Sequence, residues 1–247
     1  MKWIAILLLL GAPFLSYSQK QDTRLYELRV YYCLPGRLDA LIERFTNHTT
    51  KLFEKHGMVN VGYWIPVDNQ DNALYYVLSF PNRESRDKSW AAFNNDPVWK
   101  DVAKKSEESG KIIKNIVSTF MNAAPVSPSI KKSAGKTDRS FELRTYTPEP
   151  GRLDELLSRF KNHSIALLKK HGATHIAYWT TQEEAGAPSK LVYMLAFPTM
   201  EQGKATWDAF RKDPDWIKAK AESEKDHPIV QKVESIFMKP TSFSTIR

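Results

Sequence analysis

The stretch YELRVY at residues 26–31 decides the fold, because the chain contains it twice and repeats it as FELRTY at residues 141–146. Each copy leads through the motif PGRLD, at residues 35–39 and 150–154, into a helical pattern that ends in KHG. These motifs recur 115 residues later in the chain. A fixed offset of this kind is the signature of an internal duplication. The chain therefore contains two copies of one structural unit.

The order of predicted elements within each copy indicates an α+β fold. The first motif alternates polar and apolar residues, which is the period of a half-buried strand. The next segment has apolar residues at helical spacing and ends at Gly57, a residue type that favours helix C-termini. Two strand patterns follow, then a helix after Pro81, a helix start at Asp96-Pro97 and a last strand over 116–121. The order β-α-β-β-α-β is that of a ferredoxin-like unit.

A single ferredoxin-like unit leaves one face of its sheet without helices, and that face needs a partner. We expect the two repeats to cover each other sheet to sheet, as an intramolecular pseudo-dimer. We further expect Leu28 and Val30 to pack under the helices. Arg29 and Tyr31, with their copies Arg144 and Tyr146, would then face the space between the two sheets.

The N-terminus has the pattern of a secretory signal peptide. Lys2 precedes an apolar run over residues 3–10, and small residues at Ser16 and Ser18 come before a polar segment. The alternative is a retained membrane anchor, but the run is shorter than the ~20 residues that span a bilayer. We therefore expect residues 1–18 to be removed and the protein to be exported, to the periplasm or out of the cell.

The domain boundaries follow from the repeat. We expect one repeat over 24–122, a second over 140–243, and a mobile linker over 123–139 that contains Pro, Ser and Lys without periodicity. Half of the net charge of +8 lies outside the repeats, each of which is close to neutral. Residues 24–122 carry 14 Lys and Arg against 12 Asp and Glu, and residues 140–247 carry 16 against 14. A nucleic-acid partner is not expected, because such proteins concentrate positive charge on a folded face.

The ordered motifs closely resemble those of the NIPSNAP family, which belongs to the dimeric α+β barrel superfamily. The resemblance rests on the copies of ELR, PG, HG, YW, DPxW and FM, which cover nearly all of residues 24–243. It implies two tandem domains forming one barrel. Well-studied eukaryotic members of the family are mitochondrial interaction proteins, and the signal peptide sets this chain apart from them. Other relatives in the superfamily include small monooxygenases and haem-degrading enzymes.

Seven residues are the candidate ligand-binding set for the cavity between the two sheets. They are Arg29, Tyr31, Trp64, Arg144, Tyr146, His175 and Trp179. An Arg there could clamp an anion with two hydrogen bonds. The alternative is an ion pair with Glu27 or Glu142 that only stabilises the barrel. The aromatic residues, which also include the pairs Tyr76/Tyr193 and Trp90/Trp207, are core residues in the simpler interpretation.

The histidines give no clustered pattern. His56 and His171 end the first helix of each repeat, where a helix C-terminus stabilises a histidine. His48 and His163 lie two turns earlier and about 80° around the helix from them, too far apart for one ion. His175 and His227 occur in the second copy only. We expect no metal and no cofactor, since metal-ligand spacings, phosphate-binding glycine loops and nucleophile elbows are missing from the sequence.

Two functions remain open from the sequence. The first is a non-catalytic, exported protein that binds a small apolar or anionic molecule, or a protein partner, through its barrel. The second is a cofactor-independent monooxygenase or isomerase that acts in the same cavity. An enzyme requires a titratable group that is directed at the substrate, whereas a binding protein does not. No membrane association is expected after removal of the signal peptide.

Overall fold

The computed structural model describes residues 21–133, 139–182 and 188–247. The predicted signal peptide and residues 134–138 of the predicted linker lie outside these ranges. The strands of the described chain follow the expected order. They are β1 (Leu25–Cys33), β2 (Val59–Pro66), β3 (Ala73–Phe80) and β4 (Ile113–Ala123) in the first repeat, and β5 (Ser140–Pro148), β6 (Thr174–Thr181), β7 (Leu191–Phe197) and β8 (Val230–Pro240) in the second.

The helices also match between the repeats. They are α1 (Leu38–Arg44), α2 (Thr50–Lys55), α3 (Arg83–Asn95) and α4 (Pro97–Ser106), then α5 (Leu153–Arg159), α6 (Ile165–Lys170), α7 (Met200–Lys212) and α8 (Pro214–Ser223). Asp96 caps α4 through a hydrogen bond from the Val98 amide, which confirms the predicted helix start. Gly57 has a φ of +78°, the left-handed conformation expected after α2. In the described residues no helix is long and apolar enough to cross a membrane.

The two repeats form one closed barrel, which confirms the predicted α+β pseudo-dimer. The strand order is β1-β3-β2-β8-β5-β7-β6-β4, with antiparallel pairing between neighbours. Two seams join the repeats. At one seam β2 pairs with β8, from Trp64 opposite Pro240 to Pro66 opposite Met238. At the other, β4 pairs with β6 through Met121 opposite Thr181 and the next two residues.

The interior of the barrel is a packed apolar core. Leu28 and its copy Leu143 lie in this core, together with the paired residues Met121 and Met238. Aromatic rings cross between the repeats. The Trp64 ring lies 5.7 Å from that of Phe141, and the Trp179 ring lies 5.7 Å from that of Tyr26. Each repeat thus buries aromatic residues of the other.

The expected orientation of the first strand is therefore wrong. Leu28 faces the barrel interior, whereas Arg29, Tyr31 and their copies Arg144 and Tyr146 lie on the helix side of the sheet. Alternation defines which residues share a face but not which face is inside. The polar residues require hydrogen-bond partners, and these come from the helices and from the polar face of the neighbouring strand rather than from the apolar interior.

Part of the segment for which we expected mobility packs on the second repeat instead. After β4, Ala124 is buried and its amide donates to the Tyr178 carbonyl, while the Ser127 hydroxyl accepts from the Tyr178 amide. The C-terminal segment makes the equivalent contacts with the first repeat. The Thr241 amide donates to the Tyr63 carbonyl, and Ser244 Oγ accepts from the Tyr63 amide. These segments tie each repeat to the other beyond the seams.

Candidate functional site

The candidate site is a cleft between the helices and the outer face of the sheet in the first repeat. We call it the first-repeat cleft, and it has a volume of about 320 Å³. Its apolar wall consists of Phe45, Phe53, Trp90, Phe93, Trp99, Ile113 and Ile116. Its polar lining includes Arg29, Tyr31, Arg44, Thr49 and Glu107. An apolar cleft with a few converging polar groups is the usual form of a small-molecule site.

A π-helical segment over Phe45–Thr49 places Phe45 and Thr49 in this cleft, directly after Arg44. Thr49 Oγ1 donates to the Arg44 carbonyl at 3.1 Å, and Thr50 Oγ1 donates to the Phe45 carbonyl at 3.2 Å. These side-chain bonds occupy carbonyls in the widened turn. The segment Phe160–Ser164 repeats the feature in the second copy. π-Helical turns occur often at functional sites, and the hydropathy pattern of the sequence did not reveal this one.

Behind Arg29 and Trp90, which line the cleft, lies a buried carboxylate with several donors. Glu27 is fully buried and accepts from Arg29 at 2.6 Å, from Arg86 at 2.7 and 2.9 Å, and from Ser118 at 2.7 Å. Trp90 Nε1 adds a fourth donor at 3.1 Å. Burial alone would raise the pKa of Glu27, but the bond from Arg86 and the charge of Arg29 lower it to about 2. Glu27 is therefore ionised and compensated.

Arg29 is held rigidly by its neighbours. Its Nε donates to the Tyr76 hydroxyl at 2.9 Å, and its guanidinium lies 4.3 Å from the centre of the Trp90 ring. One terminal nitrogen lies 3.5 Å from the Tyr31 hydroxyl. The predicted ion pair of Arg29 with Glu27 is present, so its main role is structural. Its remaining contribution to the cleft is positive charge beside a phenol.

Arg44 is the polar residue that the sequence did not single out. It is 6% exposed, and its Nε has no hydrogen-bond partner. A terminal nitrogen donates to Ser106 Oγ at 3.3 Å and lies 3.6 Å from Glu107 Oε1. Burial lowers the pKa of the guanidinium, against the opposing effect of Glu107. A buried N–H without an acceptor is an unmet requirement that a ligand oxygen would satisfy.

The second repeat contains the same framework with different residues at its rim. Glu142 accepts from Arg144 at 2.6 Å, from Trp207 at 2.5 Å and from Ser235 at 2.5 Å. Gly203 stands where the first repeat has Arg86, so Glu142 lacks the counterpart of that donor. Two longer residues replace small ones that line the first-repeat cleft, with Arg211 in place of Asn94 and Lys220 in place of Ala103.

Comparison with known proteins identifies the family. The NIPSNAP family model matches residues 26–128 and 141–245. The chain belongs to the NIPSNAP family. No curated protein sequence matches it.

Solved structures with the same fold include an anthrone oxidase-like protein (15% identity, 91% of this chain, 94% of that chain, TM-score 0.60). A candidate monooxygenase from Fusobacterium nucleatum has a similar structure (10% identity, 90% of this chain, 94% of that chain, TM-score 0.60). A NIPSNAP family protein from Agrobacterium tumefaciens covers 46% of this chain and 97% of its own (22% identity, TM-score 0.39).

The two tryptophans of the candidate set lie in the core of the NIPSNAP barrel. Trp64 and Trp179 are each 1% exposed. Both therefore face the interior as expected, but they fill it rather than line a cavity. The residue two positions before each tryptophan differs between the repeats. Gly62 lies so close to the Trp64 ring that a Cβ atom added to it would be 2.3 Å from the ring. The second repeat has Ala177 at this position.

His175 is a structural substitute for the asparagine of the first repeat. Its Nδ1 lies 2.6 Å from the Tyr178 hydroxyl and its Nε2 lies 3.0 Å from the Ile165 carbonyl. Asn60 bonds the corresponding Tyr63 hydroxyl and the Thr50 carbonyl. Burial lowers the pKa of His175. The residue therefore anchors the first helix to the sheet and lies away from the barrel interior.

The remaining histidines divide into two groups. His56 and His171 lie 2.7 Å from Asp96 and Asp213, the carboxylates that also cap α4 and α8. The signal for this contact was the recurrence of KHG and DP in both copies. His48 lies in the π-helical segment and His227 is exposed. In the described residues no cluster of three His, Cys, Asp or Glu could hold a metal ion.

Proposed function

We propose that this NIPSNAP protein binds a small planar organic anion, an aromatic carboxylate or a phenolate, in the first-repeat cleft. The observation that carries the proposal is the buried Arg44, whose Nε has no partner and which lines an aromatic cleft of about 320 Å³. The cation lies beside the aromatic wall, since the Arg44 guanidinium is 5.4 Å from the centre of the Trp99 ring. A flat ring packed against the aromatic wall, with one anionic oxygen directed at Arg44, satisfies both.

The cleft differs from the site expected from the sequence but uses part of the same residue set. Arg29 and Tyr31 line it, although they reach it from the helix side of the sheet. The barrel interior is filled by side chains such as Trp64 and Trp179. A ligand between the sheets would have to displace this core, whereas a ligand under the helices would not.

We expect Arg44→Lys to weaken binding of benzoate about tenfold or more, because lysine keeps the charge but lacks the Nε donor and the planar fork. Isothermal titration of the full chain measures this. Arg159→Lys is the matched control, since Arg159 has an equally buried, unpartnered Nε in the second repeat, where Lys220 and Arg211 replace the smaller Ala103 and Asn94. Ala103→Lys, which introduces the residue of the second repeat, should block the cleft without altering Arg44. Equal benzoate affinity in all four proteins would refute the proposal.

A second candidate function is cofactor-independent oxygenation in the same cleft. The observation in its favour is the positive charge of Arg29 and Arg44 beside the Tyr31 hydroxyl, which would hold a bound phenol as the electron-rich phenolate. The anthrone oxidase-like and candidate monooxygenase structures share the fold of this chain. Oxygen uptake measured after addition of a bound phenol separates the two functions. A binding protein consumes none.

We propose in addition that this binding takes place outside the cytoplasm. The support is the signal-peptide pattern of residues 1–18. We expect N-terminal sequencing of the mature protein to start near Gln19, and fractionation to recover it from the periplasm or the medium. Membrane-bound protein that begins at Met1 would show that the segment is an anchor.

A further inference from the structure

A second cavity lies at the start of α7, away from the first-repeat cleft. We call it the α7 pocket. It has a volume of about 400 Å³ and is lined by Arg139, Ser140, Thr199, Glu201 and Lys239, among others. It lies beside the β2/β8 seam, where Lys239 pairs with Ile65. Four of its lining residues are cationic or carry a hydroxyl, and none of them belongs to the cleft under the helices of the first repeat.

The buried hydroxyl of Ser140 indicates that the pocket accepts a ligand. Ser140 is 7% exposed, and its Oγ has no hydrogen-bond partner in the described chain. Alternation along β5 places Ser140 on the same side as Glu142, which bonds Trp207 of α7. The hydroxyl therefore lies on the side of the sheet that faces α7. Buried hydroxyl groups are normally bonded, so an acceptor is missing here.

The N-terminus of α7 adds positive potential. The helix has 13 residues and begins at Met200 after its N-cap Thr199. The Gln202 amide donates to Thr199 Oγ1 at 3.2 Å. The Glu201 carboxylate accepts a hydrogen bond from its own backbone amide. Aligned amides at a helix start attract anions. An exposed acidic side chain thus occupies the place that a bound anion would take.

The cationic side chains reinforce this potential. Lys239 is exposed and acts electrostatically on Glu201. The Arg139 guanidinium holds the Arg247 main-chain oxygen at 2.9 Å and Ser133 Oγ at 2.9 Å, which fixes its position beside the pocket. Two positive side chains, a helix start and an unbonded hydroxyl converge here, against the single carboxylate of Glu201.

We propose that the α7 pocket binds a small oxyanion, with phosphate as the best fit. The anion replaces the Glu201 carboxylate at the first amides of α7, accepts a hydrogen bond from Ser140 Oγ and forms an ion pair with Lys239. Glu201 moves into solvent, which its full exposure permits. Phosphate offers enough oxygens to meet all three groups at once, as a helix start with a lysine commonly requires.

The first repeat supplies natural substitutions for the test. Leu25 occupies the position of Ser140, and Asn122 occupies that of Lys239. The first copy thus lacks the hydroxyl and the ammonium while keeping the fold. Ser140→Leu and Lys239→Asn introduce residues that the same framework already accommodates. Both variants should therefore fold.

The experiment is titration of the full chain with inorganic phosphate at constant ionic strength, followed by calorimetry and by the thermal unfolding midpoint. We expect Lys239→Asn and Ser140→Leu each to lower phosphate affinity about tenfold, the loss of one charge-assisted hydrogen bond. We expect Glu201→Gln to raise it, because the competing charge is gone. Lys232→Asn, on the same strand but outside the pocket, should bind as the wild type does.

Either of two outcomes would refute the oxyanion site. If phosphate affinity is the same in wild type, Lys239→Asn and Ser140→Leu, or if Glu201→Gln fails to strengthen it, the oxyanion site does not exist. Because the variants leave Arg44 unchanged, benzoate binding in the first-repeat cleft should persist in all of them. Failure of this site and failure of the proposed function are therefore distinguishable.

Discussion

Glu27→Leu is expected to destabilise the protein by about 3–5 kcal/mol, the cost of leaving buried partner charges unpaired. Glu27 is fully buried and is the shared acceptor of Arg29 and Arg86. Leucine fills similar space but accepts no hydrogen bond. A loss of this size is a large fraction of the 5–15 kcal/mol that typically stabilises a native protein. Urea unfolding followed by circular dichroism measures it.

Glu142→Leu is the matched control within the same chain. Glu142 occupies the equivalent position, but Gly203 replaces Arg86, so one cation, Arg144, loses its carboxylate instead of two. We expect a smaller loss of stability than for Glu27→Leu, by about 1–3 kcal/mol, the cost of one additional unsatisfied group. Equal losses for the two variants would mean that Arg86 contributes nothing to the network.

Paired substitutions sharpen the comparison. A matched apolar pair often replaces a buried ion pair without loss, so Glu142→Leu with Arg144→Met should be close to neutral. If Arg29 were the one cation beside Glu27, the same result would hold for Glu27→Leu with Arg29→Met. Arg86, however, would still lose its main carboxylate partner. We therefore expect the first-repeat double variant to be the less stable of the two.

The Glu27 network also predicts a pH dependence. Its folded-state pKa is about 2, below the value of about 4.3 for an unfolded chain. The unfolded state therefore binds the proton more readily, and the contribution of Glu27 is complete above about pH 5. It is lost as the pH falls towards 2. The stability difference between wild type and Glu27→Leu should narrow over this range, and a constant difference would contradict the assigned pKa.

The sequence predicted the fold well where a local pattern determined the structure. Motifs and periodicity predicted the duplication, the order of elements along the chain and the cap at Asp96. The open sheet face of each repeat predicted that the two repeats pair. The orientation of β1 did not. Glu27 and Arg29 have the same period whichever face is inside. Their partners Arg86 and Ser118 lie 59 and 91 residues from Glu27, and no local pattern contains them.

The candidate site shows the same division. Arg29 and Tyr31 were selected from the sequence and do line a cleft, but their partners were misjudged along with their face. Arg44 was not selected as a site residue from the sequence, because it looks like an ordinary charged residue at the end of a helix. Its burial depends on the π-helical segment that follows and on Trp99 of α4, 55 residues away. Only the folded chain brings these together.

Two fragments, residues 21–133 and 139–247, are expected to associate tightly when they are produced together without a covalent link. Separation would expose the apolar barrel interior of both, including Leu28 and Trp64. It would also open both seams and release Ser127 and Ser244 from the opposite repeat. The cut falls at residues 134–138, outside the described structure, and leaves all these contacts in place.

Leu28→Glu in the first fragment should abolish this association, because it places an unpaired carboxylate in the apolar interior, at a cost of several kcal/mol. Val98→Glu is the control, since Val98 is 51% exposed on the outer helix α4. Analytical ultracentrifugation at micromolar concentration distinguishes an equimolar complex from free fragments. Stable, soluble fragments that sediment separately would show that the repeats fold independently. Association of the Leu28→Glu fragment as tight as wild type would show that the interior does not hold the halves together, and the seams and terminal segments would then be sufficient.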